Sequence, residues 1–306
     1  VTAPGLIELA ERDVLLVTGP QRQKLLHAVL SNDVEGVAVG QGRGAALMDV
    51  KGHLIAILRV LVTHDSVVLE TGADRLQPVE ALLNHYRVAA PVRFARRPTA
   101  VLALLGPDDV LDHVGLPLPG AAAESHVAGR VAGQELRIVR AGDLPGGGLV
   151  LHAAPESAAA IRDALVSAGA APLSRDALDV RRIEHGRPWY GPDITEDNLL
   201  HETGLLAELH SPTKGCYVGQ EVVARLEGRG GNVNRRLRGL RLGAPASSAA
   251  TITADGVEVG RVTTAGVSER FGPIAMGYVR RSHVAPGTAV LVSGAPATVE
   301  ELPFRA

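Results

Sequence analysis

The 306-residue chain has one cysteine and one tryptophan, and aromatic residues make up only 3 % of it. A single thiol, Cys216, excludes an intramolecular disulfide. It also excludes a zinc knuckle or an iron–sulfur cluster ligated by this chain's thiolates alone, because each needs several sulfurs. The scarcity reads as a reducing, cytoplasmic setting. An excess of one charge is missing as well. The formal net charge is −2, so the chain as a whole offers no electrostatic glove to nucleic acid or to a membrane surface. Long apolar runs are absent: the most apolar segment, HLIAILRVLV, is interrupted by Arg59 and falls far short of the ~20 residues of a membrane helix. The opening VTAPGLIELAERD carries acids early and no long apolar stretch, which is not the pattern of a signal peptide.

What the chain does have is apolar content, 46 % by residue, over a length that suits two or three compact units of roughly 100–200 residues. DVLLVTGP (13–20) reads as a strand ending in a Gly-Pro turn, and QRQKLLHAVLS as a helix. GAALMDVKGHLIAILRVLV predicts two strands joined across Lys51-Gly52, and SVVLETG continues the meander. DRLQPVEALLNHYR is a second helix with Pro78 in its first turn. AVLALLGP, LRIVRAG and GLVLHAA read as strands, and DDVLDHVG and PESAAAIRDALVSAG as helices. Because the strands come in meandering pairs, the pattern favours α+β with antiparallel sheets over a doubly wound parallel sheet. After about residue 237 the texture changes to short alternating runs punctuated by glycine, with a hairpin signal at Asp255-Gly256. The expectation is an α+β region over 1–237 and a small all-β barrel over 238–306.

Two stretches carry chemistry. In SRDALDVRRIEHGRPWYG (174–191), Ser174 can cap a helix, Gly186 can end it in left-handed geometry, and Pro188 blocks its continuation. Glu184 then meets the negative end of the helix dipole, which is unfavourable by ~0.3–1 kcal/mol. An ion pair with Arg181, Arg182 or Arg187 would explain it, and sequence alone favours that reading. The sharper reading aims Glu184 at a ligand with paired N–H donors, such as a pterin edge. Trp189 and Tyr190 follow, either stacking on a heterocycle or packing at a helix-to-loop corner. The second stretch, TKGCYVGQEVVAR (213–225), surrounds Cys216 with Lys214, Gly215 and Gly219. Flanking glycines leave a side chain approachable, and a nearby ammonium favours thiolate. Against this, a free cysteine is commonly a small buried hydrophobe, and the two readings stand level.

Other signals are weaker. GQGRGAA (40–46) precedes a strand rather than a helix, a poor phosphate cradle. The eleven histidines show no metal-ligand spacing. The run from Arg225 to Arg238 holds five arginines without interleaved aromatics, so a solvated loop comes ahead of an RNA contact.

Taken together, RIEHGRPWYGPDI and KGCYVGQE resemble the YgfZ family, folate-binding relatives of the glycine-cleavage aminomethyltransferase (T-protein). The family pattern R-x-E-x-G-x-P-x-x-G stands here as Arg182, Glu184, Gly186, Pro188 and Gly191. The pattern K-G-C-[FY]-x-G-Q-E stands as Lys214, Gly215, Cys216, Tyr217, Gly219, Gln220 and Glu221. LLHAVLSNDV, ALMDVKGHL and GRVTTAG…IAMGYV extend the likeness more weakly over nearly the whole chain.

The resemblance implies two α+β modules and a C-terminal barrel around a central channel that binds tetrahydrofolate or a one-carbon derivative. It implies that Glu184 contacts the pterin, with Arg182, Trp189, Tyr190, Tyr217 and Gln220 among the cofactor-binding residues. It implies that Cys216, beside Lys214, is the functional thiol facing that channel: redox-active, a one-carbon acceptor, or one ligand of a cluster shared with a partner. It further implies partners among iron–sulfur client or assembly proteins and an indirect effect on tRNA modification; the charge and hydropathy of the chain speak against a membrane partner and against direct nucleic-acid binding. In the aminomethyltransferase, a stretch like N-E-x-G-G-I-x-D-D carries an aspartate that assists chemistry at the folate nitrogen. Aligning Gly52 with its first glycine puts Ala56 and Ile57 at the paired-aspartate positions. The loss of an acid worth typically 10²–10⁴-fold argues against glycine cleavage. A one-carbon transferase and a tRNA-binding module remain the alternatives.

Overall fold

The computed structural model describes residues 3–305, which divide into two compact units. The elements run β1 (Gly5–Glu8), β2 (Arg12–Thr18), α1 (Arg22–Val29), β3 (Gly42–Met48), β4 (Leu54–Val62), β5 (Ser66–Gly72), α2 (Leu76–Arg87) and β6 (Arg93–Arg97). They continue with β7 (Ala100–Leu105), α3 (Val110–His113), β8 (His126–Val131), β9 (Gln134–Arg140), β10 (Gly148–Ala153), α4 (Ala158–Ser167) and β11 (Ala171–Pro172). Then come α5 (Arg175–Glu184), α6 (Leu206–Leu209), α7 (Gln220–Glu227), β12 (Arg235–Leu242), β13 (Thr251–Ala254), β14 (Val257–Ser268), β15 (Gly272–Arg280), β16 (Ala289–Val292) and β17 (Ala295–Glu300).

The first unit, residues 1–173 and 207–220, holds two sheets. One is five-stranded in the order β3-β4-β5-β2-β6, the other six-stranded in the order β11-β1-β7-β10-β9-β8. Every pairing is antiparallel except β1 with β11. Period-two alternation sends Leu15, Val17, Leu58, Val60, Val67 and Leu69 to one face of the five-stranded sheet, where α1 and α2 cover them with Leu26, Val29, Val79 and Leu83. The six-stranded sheet does the same with Leu102, Leu104, Ile138, Leu149 and Leu151 beneath α3 and α4.

The sheets meet across a buried ionic layer. Arg59, which interrupts the apolar run of β4, is only 5 % exposed. Its guanidinium donates to Glu124 at 2.6 Å, and to Glu70 and Asp143. Arg12 donates to Glu70 and Asp143 at 2.8 Å each, and His152 Nε2 lies 2.7 Å from Glu70. Burial alone would raise the Glu70 pKa, but Arg59, His152 and Arg12 together hold it well below the usual carboxylate range.

The second unit, residues 174–206 and 221–306, is a closed six-stranded barrel, β12-β15-β14-β13-β16-β17, with α5 packed on β14 and β15. Leu240, Ile252, Val262, Ala275, Val279 and Val299 are among the residues of its core. Asp255 and Gly256 both take positive φ, +50° and +77°, the left-handed pair that a tight hairpin requires. Around Ile183 of α5 gather Leu237, Ile274, Met276, Tyr278 and Phe304. The barrel starts at Arg235, slightly before the expected 238. By compactness, α5 and the loop after it go with the barrel while residues 207–220 return to the sheets. Strand texture shows where a barrel begins, but the face a helix buries decides which unit it joins. Among the described residues no helix is long and apolar enough to cross a membrane.

Candidate functional site

Residues 207–220 form a strap on the first unit, and the loop after α1 fastens one end of it. Ser31 Oγ donates to the Leu209 carbonyl at 2.5 Å and accepts from Ala46 N–H at 2.8 Å. The Ser31 carbonyl accepts from Ser211 N–H at 3.1 Å. Asn32 Nδ2 bridges the Gly44 and Glu208 carbonyls at 2.9 and 3.1 Å. At the other end Val218 packs, with Ile55, against the core beneath α1 and α2. Gly219 sits at φ +82°, and a Cβ there would lie 2.7 Å from the Asp49 carbonyl and 3.1 Å from Met48 Cβ. Both the backbone conformation and the close approach demand glycine. The strap therefore lies against the β3–β4 hairpin tip. Between its fastened ends Cys216 is exposed, so the thiol is not a packed hydrophobe.

Lys214, two residues before the thiol in sequence, reaches the C-terminal end of α1. Its ammonium donates to the carbonyls of His27, Leu30 (2.5 Å) and Asn32 (3.4 Å), with the Tyr217 ring centroid 4.9 Å away. Burial pulls its pKa down to about 8, with Asp33 opposing the shift. Tyr217 is buried and tilted against His210 at 5.8 Å, and Gln220 opens α7. At the hairpin tip Asp49 Oδ1 accepts from Lys51 and His53 N–H at 2.8 and 2.9 Å, which closes the turn. Ala56 is fully buried in β4 and Ile57 is partly exposed, so neither position presents an acid.

The second unit presents the end of α5. Ser174 caps the helix as expected, accepting from Ala177 N–H at 3.2 Å, and Gly186 follows it at φ +61°. Glu184 is partly exposed and accepts from Ser268 Oγ at 2.5 Å; that hydroxyl accepts in turn from the N–H groups of Arg270 and Phe271 at 3.0 Å. Arg182, one of the arginines named as pairing candidates, turns inward. Arg182 is fully buried, donating to Asp179 at 2.6 Å and to Asp193. Asp193 also accepts from Trp189 N–H at 2.9 Å and from Thr263 and Thr264 hydroxyls at 2.7 and 2.6 Å. Trp189 is 5 % exposed, with the Arg182 guanidinium 4.6 Å and that of Arg175 5.4 Å from its ring centroid. Arg182 and Trp189 are thus internal supports of this corner rather than open contact groups, while Tyr190 is partly exposed beside a bridge to Ile194.

Sequence reasoning missed Ser31, Asn32, Asp193 and Ser268, which hold the two candidate groups in place. Asp193 left a signal, a carboxylate two residues after Gly191 in a turn already quoted, and Ser31 and Asn32 stand in the quoted LLHAVLSNDV. The basic run is largely absorbed by the fold. Arg235 bonds Glu202 at 3.1 Å and the Asp197 carbonyl at 2.7 Å, Arg236 bonds the Gly231 carbonyl at 2.6 Å, and Arg238 bonds the Val284 carbonyl at 2.9 Å.

An α+β unit of antiparallel sheets and a closed six-stranded barrel together have the aminomethyltransferase-like fold. Residues 1–209 match the GCVT N-terminal domain and residues 235–304 the glycine cleavage T-protein C-terminal barrel domain, so the chain belongs to the GCVT family. A chloroplastic protein of Arabidopsis thaliana, named as a presumed transferase, is 26 % identical over 98 % of this chain and 71 % of its own length. The aminomethyltransferase of Saccharopolyspora erythraea is 28 % identical over 99 % of this chain and 87 % of that protein. The crystal structure of glycine cleavage system aminomethyltransferase T from Bartonella henselae shares the fold at a TM-score of 0.88 and 23 % identity, covering 99 % of this chain and 87 % of that one.

Proposed function

We propose that this GCVT-family chain is a folate-binding accessory factor of the YgfZ type that supports iron–sulfur enzymes and works through the Cys216 thiol rather than a hairpin carboxylate. The observation that carries this reading is the strap. It meets the hairpin tip through Gly219 and carries an exposed thiol, while in β4 buried Ala56 and partly exposed Ile57 stand where the aminomethyltransferase pattern has its paired aspartates. Tetrahydrofolate, or a one-carbon derivative, would supply the one-carbon chemistry when bound. Glu184 fits a pterin edge: it is partly exposed, and one of its oxygens is already oriented by Ser268. A carboxylate so placed accepts paired N–H donors. Arg182 and Asp193 support it by fixing the turn that follows α5.

Two variants test the reading. Glu184→Ala should weaken tetrahydrofolate binding on the order of tenfold to a hundredfold by calorimetry, the loss expected for charge-assisted hydrogen bonds, while the fold persists. Unchanged affinity refutes the pterin assignment. Cys216→Ala should keep folate affinity and lose the rescue of iron–sulfur enzyme activity in a strain lacking the gene; full rescue reduces the thiol to an incidental surface group.

A second reading, a folate-dependent aminomethyl or one-carbon transferase, draws support from curated relatives that carry that name and align with 98–99 % of this chain. Turnover of an aminomethyl donor with tetrahydrofolate would establish it.

A further inference from the structure

Lys214 shares its motif with the thiol, and its ammonium is engaged by the carbonyls at a helix end. Helix α1 finishes at Val29, and Leu30 is the residue that caps it, in extended geometry. The last carbonyls of any helix lack intrahelical donors and carry the negative end of its dipole. Here the His27 and Leu30 carbonyls, joined by that of Asn32, converge on the Lys214 ammonium. Tyr217 places its ring centroid 4.9 Å from the ammonium, and that ring is only 7 % exposed. The charged groups around this point are few. Asp33 acts on the ammonium through space and is itself 3.0 Å from His27 Nδ1.

We propose that Lys214 is a positioning residue, a latch that pins the strap to the C-terminus of α1 and thereby fixes where Cys216 stands, rather than an electrostatic activator of the thiol. Three features of the geometry carry this. The ammonium's donors go to backbone carbonyls of α1 and its following loop. Two of those carbonyls, of Leu30 and Asn32, belong to the loop whose Ser31 and Asn32 already hold residues 208–211. The latch stands between that fastening and the Gly219 contact on the hairpin tip, so it closes the span on which Cys216 is carried. Lysine suits the place because its three donors can serve several carbonyls at once, and because its stem can be covered while its charge meets the helix dipole.

That the position of Cys216 matters for function rests on the proposed reading; that Lys214 sets the position does not. The test uses the full chain and exploits its single cysteine, so alkylation with iodoacetamide reports Cys216 alone. In Lys214→Met, amide hydrogen exchange over residues 211–218 should quicken on the order of tenfold to a hundredfold. The pH midpoint of Cys216 alkylation should stay where it is in the parent. Lys214→Arg, which keeps a cation with several donors, should restore most of the protection. Unchanged exchange in Lys214→Met overturns the latch. So does an upward move of the alkylation midpoint with exchange unaltered, because that is the signature of activation. Equal loosening by Arg and Met also overturns it, since the cation would then be irrelevant. If Cys216→Ala retains full rescue while Lys214→Met loosens the strap, the functional reading falls and the latch stands.

Discussion

The chain's one tryptophan and its one cysteine lie in different units and in opposite surroundings. Trp189 is 5 % exposed, at the corner after a regular helix, flanked by two guanidiniums and tied through its backbone to Asp193. Cys216 is exposed on an irregular strap. The helix corner is fixed by side chains: a buried Arg182–Asp193 pair whose remaining lone pairs are filled by Thr263 and Thr264. The strap is fixed mainly by backbone carbonyls and by the close approach of Gly219 to the hairpin tip. The difference teaches that a candidate binding group and a candidate reactive group can be held by unlike means. Ion pairing in a desolvated corner gives rigidity at the price of a large penalty if one partner is lost. A strap held by many small contacts can yield locally.

The largest expected effect comes from breaking the ionic side of this contrast. Asp193→Ala should destabilise the barrel unit by about 3–5 kcal/mol, because it leaves the fully buried Arg182 guanidinium short of a partner and strips two threonine hydroxyls of their acceptor. As the chain has a single tryptophan, its fluorescence during urea unfolding follows Trp189 without interference. Alkylation of Cys216 in the folded protein should keep its parent rate. A midpoint within error of the parent would mean that Asp193 does not hold the corner.

Gly219→Ala strikes the strap instead. A side chain at φ +82° with a Cβ 2.7 Å from the Asp49 carbonyl should cost about 1–3 kcal/mol. The effect belongs in the exchange rates of residues 211–220 and of the hairpin tip, with the Trp189 unfolding signal nearly unmoved. Faster exchange throughout both units would contradict a locally held strap.

These two supports differ in how far the sequence showed them. The α5 boundaries were legible because capping has a local code, and Ser174 and Gly186 took the expected places. The antiparallel sheets and the Asp255-Gly256 hairpin were legible for the same reason: period-two alternation and turn residues act over short range. Arg59 stood out in an apolar run, but nothing local announced Glu70, Glu124 and Asp143 as its partners, which lie 11 to 84 positions away. The strap was least legible. Lys214 meets the α1 carbonyls across more than 180 positions, and no periodicity encodes a side chain that reaches backbone groups of a distant helix end. At Glu184 the dipole argument correctly found a carboxylate in need of a donor, and a donor that it did not foresee is Ser268 of β14.

The smallest effect separates stability from binding at the two ends of one helix. Ser174→Ala removes the hydroxyl that accepts from Ala177 N–H and should cost about 1 kcal/mol, read as a lower urea midpoint for Trp189. Glu184 stands ten residues on, about 15 Å along the axis at 1.5 Å per residue. Fraying at the first turn dies out within a turn or two, and the far end is held independently by Arg182, Asp193 and the Ser268 hydroxyl. Tetrahydrofolate affinity in Ser174→Ala should therefore match the parent even as stability falls. An affinity loss in proportion to the stability loss would show that Glu184 depends on the whole helix rather than on its own corner, and would make the Glu184→Ala result a measure of folding instead of pterin contact.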